Sequence, residues 1–276
     1  MTSEATKETG TPLISIRELA VDYWTGKSNY FRAVDLVTFD IFRGEVIGLA
    51  GESGSGKSTI ANAILRLIEP PSKVTGEVKF GQSNILRLNH TQVQAYRWKL
   101  VSMIFQGAMN SLDPVFPISD QIVETIRAHE PSTTKEDAMK TALDLFRRVG
   151  IDKRRAGDYP HQLSGGMRQR VMIAMALALK PKLLIADEPT SALDVVTQQQ
   201  IITLLRQLRL EYNLSVLFIT HDLPILSEIS DRIIVMRQGR IVEVGDRSQI
   251  IQHPKHEYTQ LLIKSVPTLT GEKNVL

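Results

Sequence analysis

Apolar positions follow three rhythms along this chain, and each predicts a different kind of element. Residues 13–23 and 34–41 read as short strands, the second alternating at Val37, Phe39 and Ile41, with the polar stretch WTGKSN expected as a loop between them. An antiparallel β-layer therefore opens the domain. Residues 44–50, GEVIGLA, form an apolar strand that runs into a glycine loop. STIANAILRLI behind it predicts a helix with an apolar face at Ile60, Ala63, Ile64 and Leu67. KLLIAD (182–187), LSVLFIT (214–220) and RIIVM (232–236) are near-continuous apolar runs separated by helical stretches, the pattern of parallel strands covered on both faces.

From about residue 91 to 160 the rhythm becomes helical: TQVQAYRW, SDQIVETIRAH and KEDAMKTALDLFRRVGI, with Gly150 a C-terminal stop. We read residues 91–165 as a helical subdomain inserted into an α/β domain of residues 12–245. SQIIQ and HEYTQLLIKSV are two short helices in a C-terminal extension, residues 246–276, that ends in a loose polar tail. Residues 1–11 are polar and expected to be disordered.

Composition narrows the function by exclusion. With no cysteine, disulfides, thiolate zinc sites and cysteine-held iron–sulfur clusters are ruled out. The longest apolar run, VMIAMALAL, is far short of the roughly 20 residues that cross a bilayer, and no secretory segment opens the sequence. A net charge of +3 with both signs interleaved gives no nucleic-acid stripe. The densest basic cluster, Arg147, Arg148, Lys153, Arg154 and Arg155, reads as a solvated helix end and loop rather than a phosphate patch.

The chemistry begins at GESGSGKST: Gly51, Glu52, Ser53, Gly54, Ser55, Gly56, Lys57, Ser58 and Thr59. It fits G-x-x-x-x-G-K-[ST] in the strand-to-helix setting that the motif needs. Glycines let consecutive N–H groups and a helix N-terminus face phosphate oxygens. Lys57 then neutralises β- and γ-phosphates, Ser58 ligates Mg²⁺, and Thr59 reaches the α-phosphate. The strand LLIAD ends in Asp187 and Glu188, which places one carboxylate by the Mg²⁺ shell and the next by the attacking water as general base. Three signals are weak alone. Gln106 after the strand VSMIF reads as a surface glutamine and His221 after LFIT as a satisfied hydrogen-bonder. Tyr23 or Trp24 either stacks on adenine or covers the core edge.

In order along the chain, an N-terminal aromatic, GESGSGKST, Gln106, LSGGM, LLIADE, SALD and His221 resemble the nucleotide-binding domain of ABC transporters. That resemblance implies an ABC-type phosphate-loop ATPase fold with ATP and Mg²⁺ as cofactors. It makes Ser164, Gly165 and Gly166 the signature loop that caps the γ-phosphate of an ATP held by a second nucleotide-binding subunit. It makes Gln106 a sensor of Mg²⁺ and the lytic water beside a transmembrane partner, Asp194 part of the dimer contact, and His221 a γ-phosphate ligand. Met167 stands where glutamine is commonest in the signature.

MIFQGAMNSLDPVFPISDQI, the segment from GMRQR to TQQQI, and the tail HPKHEYTQLLIKSVP are similar to ATP-binding subunits of oligopeptide and dipeptide importers, although Glu257 replaces a common proline. Many of these carry a cysteine cluster after the tail, which this sequence lacks. The implied partners are transmembrane permease subunits, a second ATPase subunit and, indirectly, a solute-binding protein, with no nucleic acid. The implied location is the cytoplasmic face of the cell membrane. The branch also serves nickel, glutathione and oligosaccharides. The competing readings each fail on one feature. A DNA-repair ATPase of this type needs a long coiled-coil insertion, tandem translation factors need two cassettes, and a kinase or helicase leaves LSGGM unexplained. A purely regulatory module leaves Glu188 and His221 unexplained.

Overall fold

The computed structural model describes residues 10–27, 29–107 and 111–265. Most of the expected N-terminal tail, part of the GAMNSLDP loop and the loose C-terminal end lie outside them. In chain order the strands are β1 (Ile14–Gly26), β2 (Asn29–Ile41), β3 (Val46–Ala50), β4 (Lys73–Phe80), β5 (Ser83–Asn84), β6 (Val101–Ile104), β7 (Leu183–Asp187), β8 (Ser215–Ile219), β9 (Arg232–Arg237) and β10 (Arg240–Asp246). The helices are α1 (Lys57–Ile64), α2 (His90–Tyr96), α3 (Ile118–His129), α4 (Lys135–Arg148), α5 (Gly165–Ala176), α6 (Val195–Tyr212), α7 (Leu223–Ile229), α8 (Arg247–Gln252) and α9 (Glu257–Lys264).

The long apolar runs are the central strands of a six-stranded sheet in the order β10-β9-β3-β8-β7-β6, where every pairing but β9 with β10 is parallel. Both faces are covered, so successive residues of one strand enter different cores. Leu184, Ala186, Val216 and Phe218 pack among the helices on one side. Leu183, Ile185, Leu217 and Ile219 pack on the other against α1 and the antiparallel sheet β2-β1-β4-β5. Truncating one of these, such as fully buried Ile185, to alanine costs about 2–5 kcal/mol in general.

The structure corrects several local expectations. Trp24, Thr25 and Gly26 of the expected WTGKSN loop belong to β1 and Asn29 to β2, because Gly26 at φ 91° and Lys27 at φ 49° reverse the chain in a tight hairpin. Helix α1 stops at Ile64, with Arg66 left-handed at φ 53°, so Leu67 leaves the apolar face and is 38% exposed. Helix α2 ends before Trp98, which turns at φ 67° into β6. Strands β4 and β10 were not among the strands read from the sequence, although KVTGEVKF alternates at Val74, Val78 and Phe80; most of their residues are only partly buried or exposed. Helices α3 and α4, within the stretch read as helical, pack on each other and on α5, which begins where that stretch ends. The span 91–165 also contains β6, which is an edge strand of the main sheet. Arginines of the basic cluster sit beside carboxylates: Arg147 and Arg148 on Asp144, Arg148 also on Glu211, Arg154 on Asp152, and Arg155 on Asp158.

Candidate functional site

Strand β3, in the interior of the main sheet, delivers the glycine loop at the C-terminal ends of its parallel strands. Gly56 takes φ 100° as the residue before α1, and a Cβ there would lie 2.5 Å from the Ala33 carbonyl oxygen. No side chain caps the helix, so its first N–H groups face the cavity in front of the loop. The loop is sewn to its neighbours by backbone bonds: Gly239 N–H to the Ser55 carbonyl at 3.1 Å and Asp35 N–H to the Gly239 carbonyl at 2.8 Å.

Lys57 is 6% exposed and folds back over the loop, donating to the Gly51 carbonyl at 2.8 Å, the Glu52 carbonyl at 2.7 Å and Ser55 Oγ at 3.3 Å. Burial lowers its pKa, against the pull of the nearby Glu188, Asp187 and Glu52 carboxylates. Asp187 closes β7 almost fully buried. Burial raises its pKa, a Ser58 hydrogen bond opposes the rise, and Oδ1 has no hydrogen-bond partner among the described residues.

Glu188 follows in a left-handed turn at φ 47°, its N–H bonded to the Ile219 carbonyl at 2.9 Å. Its carboxylate is gripped from β8's end: Thr220 Oγ1 donates at 3.2 Å, His221 N–H at 3.1 Å, and His221 Nδ1 lies 2.7 Å away. The Glu188 side chain is 11% exposed, whereas that of His221 is 69% exposed and projects into the opening.

One cavity brings these groups together. Gly51, Glu52, Ser53, Gly54, Gly56, Lys57, Ser58, Thr59, Gln106, Asp187, Glu188 and His221 all line it, with Ser55 buried just behind under Lys57. Of the candidate aromatics, Tyr23 lines it. Trp24 and Tyr30 instead pack edge to face with ring centroids 5.3 Å apart on the hairpin's other face. The sequence reading missed Phe31, the cross-strand partner of Tyr23, which is 58% exposed and also lines the cavity. It missed Leu262 of α9 as well. Tyr30 and Phe31 are adjacent, so alternation puts them on opposite faces of β2 and only the register with Tyr23 decides which enters the cavity; Leu262 had no signal, being brought in from the far end of the chain.

Ser164, Gly165, Gly166 and Asp194 are not in that lining. Ser164 caps α5, its Oγ accepting the Met167 N–H at 3.3 Å. Asp194 caps α6, accepting from Thr197 N–H at 2.9 Å and Thr197 Oγ1 at 2.8 Å. The two caps are adjacent: a Cβ on Gly166 would lie 2.5 Å from the Thr197 methyl.

Comparison with known proteins places this geometry. Residues 34–191 match the profile of the ABC transporter family, and residues 242–276 that of the oligopeptide/dipeptide transporter C-terminal region. The chain is 45% identical over 267 residues to the dipeptide transport ATP-binding protein DppD of Haemophilus influenzae, covering 96% of this chain and 80% of that protein. It is 48% identical over 266 residues to the peptidoglycan transport ATP-binding protein YejF of Agrobacterium fabrum, covering 95% of this chain but only 48% of that protein. Among solved structures it is similar to a dimeric post-hydrolysis state of the ATP-binding cassette MJ0796 bound to ADP and Pi. The TM-score is 0.75 at 30% identity, over 85% of this chain and 98% of that one.

Proposed function

This chain belongs to the ABC transporter family as an ATP-binding, ATP-hydrolysing subunit, and from that premise we propose that it powers the import of dipeptides or oligopeptides. The observation that carries the catalytic reading is the Glu188 carboxylate, held by Thr220 and His221 at the rim of the cavity that Lys57, Ser58 and Asp187 also line.

In this reading the uncapped N–H groups where the loop from Gly51 to Thr59 enters α1 and the Lys57 ammonium bind the triphosphate. Tyr23 and Phe31 form the apolar wall for adenine. Ser58, Gln106 and Asp187 are the residues that would hold Mg²⁺. The buried, unpartnered Oδ1 of Asp187 fits a group from outside the chain. A bound Mg²⁺ supplies charge neutralisation at the β- and γ-phosphates. Glu188 orients the lytic water and takes its proton, and His221, exposed beside it, donates to the γ-phosphate oxygens.

Ser164, Gly165, Gly166 and Asp194 serve a second ATPase subunit, which explains their absence from this chain's own cavity. Permease subunits dock beside Gln106, where Phe105, Val115 and Phe116 are exposed. Gln121 fixes the loop by accepting the Asp113 N–H and donating to the Asp113 and Phe116 carbonyls. A solute-binding protein delivers cargo to those permease subunits. No helix of the described residues is long and apolar enough to cross a membrane, and we place the subunit at the cytoplasmic face, held there by its permease partners. Residues 12–245 act as the ATPase domain, with the helices between 91 and 165 as the permease-facing part and 246–276 as the extension.

The test is Glu188→Gln in the assembled transporter. MgATP binding should persist while hydrolysis falls by about 10²–10⁴-fold; near-normal turnover overturns the assignment.

A further inference from the structure

Helix α9 of the C-terminal extension reaches back to the phosphate loop. Tyr258 is 4% exposed and its hydroxyl accepts the Glu52 N–H at 3.2 Å. That N–H belongs to the same peptide group as the Gly51 carbonyl, which accepts Lys57 Nζ at 2.8 Å. The Gly51–Glu52 peptide plane is thus held at both ends, by Lys57 on its oxygen and by Tyr258 on its nitrogen. A flip of that plane would break both bonds and leave the ammonium held only by the Glu52 carbonyl and Ser55 Oγ. One helical turn beyond Tyr258, Leu262 lines the same cavity.

The helix that carries these residues is itself anchored. On β10 the Glu243 carboxylate accepts the Lys255 N–H at 2.8 Å and the His256 N–H at 3.0 Å. His256 Nδ1 in turn caps α9 by accepting the Tyr258 N–H at 3.1 Å. The Arg237 guanidinium covers the Tyr258 ring at 4.8 Å from its centroid. Packing alone requires only the ring; the hydroxyl takes up the Glu52 N–H, so that loop donor is paired within the chain. Burial, more than any other cause, raises the pKa of this phenol, so it stays protonated at neutral pH.

We propose that Tyr258 is a positioning residue of the nucleotide site: by fixing the Gly51–Glu52 peptide it holds Lys57 in the cavity, so that the C-terminal extension sets the affinity for the triphosphate. The inference rests on the MgATP reading of the cavity and adds α9 to it. The test is Tyr258→Phe in the full chain, with MgATP affinity measured at 25 °C, apo thermal unfolding measured in parallel, and KM and kcat measured in the assembled transporter. Loss of one buried hydrogen bond should weaken MgATP binding about three- to tenfold and raise KM to match, with kcat within about twofold. Leu261→Ala, at an exposed position on the same helix, should leave affinity unchanged.

Affinity within about 1.5-fold of wild type overturns the proposal, even if the unfolding temperature falls, since that is what a merely structural hydroxyl would give. Glu243→Gln weakens the anchor from its other end and should lower affinity about twofold; an unchanged affinity there also counts against it. Lys57→Ala separates the two readings. If it abolishes binding while Tyr258→Phe does not, only the positioning role fails. If it binds normally, the MgATP reading of the cavity fails first.

Discussion

The loop before α1 and the loop before α5 both carry serine and glycine, and both lead into a helix. Before α1 the capping residue is Gly56, left-handed and without a side chain, so the first helical N–H groups stay free, and Lys57 lies buried against the loop. Before α5 the capping residue is Ser164, whose own Oγ takes up the Met167 N–H, and no cationic side chain follows until Arg168. The first loop is a complete cradle lining a cavity shared with Asp187, Glu188 and His221, while the second lies against the capped start of α6. A phosphate site needs converging donors as well as a helix N-terminus, and of these two loops the first has them among the described residues.

The largest contrast should come from paired substitutions. Lys57→Ala strips the charge from the cradle and should weaken MgATP binding by about 100-fold or more at protein concentrations too low for dimers. Ser164→Arg should leave it within about threefold, a difference below about 1 kcal/mol. Ser164→Arg should nonetheless abolish ATP-driven dimerisation and hydrolysis, because it puts a long cation where a second subunit must close. If both weaken binding by monomers equally, the two loops act on one nucleotide in one chain and the comparison collapses.

A smaller contrast lies in the glycines. Gly56→Ala meets both a left-handed backbone and the Ala33 carbonyl oxygen at 2.5 Å, and should cost about 3 kcal/mol of stability by denaturant unfolding. Gly166→Ala meets only the Thr197 methyl, on a helical rather than a left-handed backbone; moving that methyl strains the Thr197 Oγ1–Asp194 bond, and the gain in helix propensity offsets part of the cost. Its net change should stay within about 1 kcal/mol. Equal costs would show that the second loop is as rigidly enclosed as the first.

The smallest effect concerns pH at the Asp194 cap next to the second loop. The Thr197 N–H and hydroxyl, each donating to its carboxylate, hold the Asp194 pKa below the ordinary value of 3.8. A lowered folded pKa means that the cap's contribution is fully present above that ordinary value and is lost as pH falls through the lower folded one. The unfolding temperature of wild type should therefore exceed that of Asp194→Ala at pH 5–7, and the gap should shrink below about pH 4. A gap that widens on acidification contradicts this sign.

Gly51 to Thr59, the Asp187–Glu188 pair and the three apolar strand runs could be read from the chain alone because each is fixed locally. A strand buried on both faces must be apolar throughout, and a phosphate turn tolerates few residues besides glycine. The caps at Ser164 and Asp194 went unread in the sequence, although capping is a matter of neighbours three residues apart. Strand β4, between β1 and β5, and the edge strand β10 escaped because their mixed polar and apolar runs leave their place to pairing, and the stop of α1 at Ile64 because the backbone at Arg66 decided it against the apolar periodicity. Only the tertiary structure could set Phe31 beside Tyr23, grip Glu188 from the end of β8, and carry Tyr258 and Leu262 across more than two hundred residues to the phosphate loop. These are contacts between segments far apart in sequence, where local propensity and spacing hold no information and register, twist and packing decide which side chains meet.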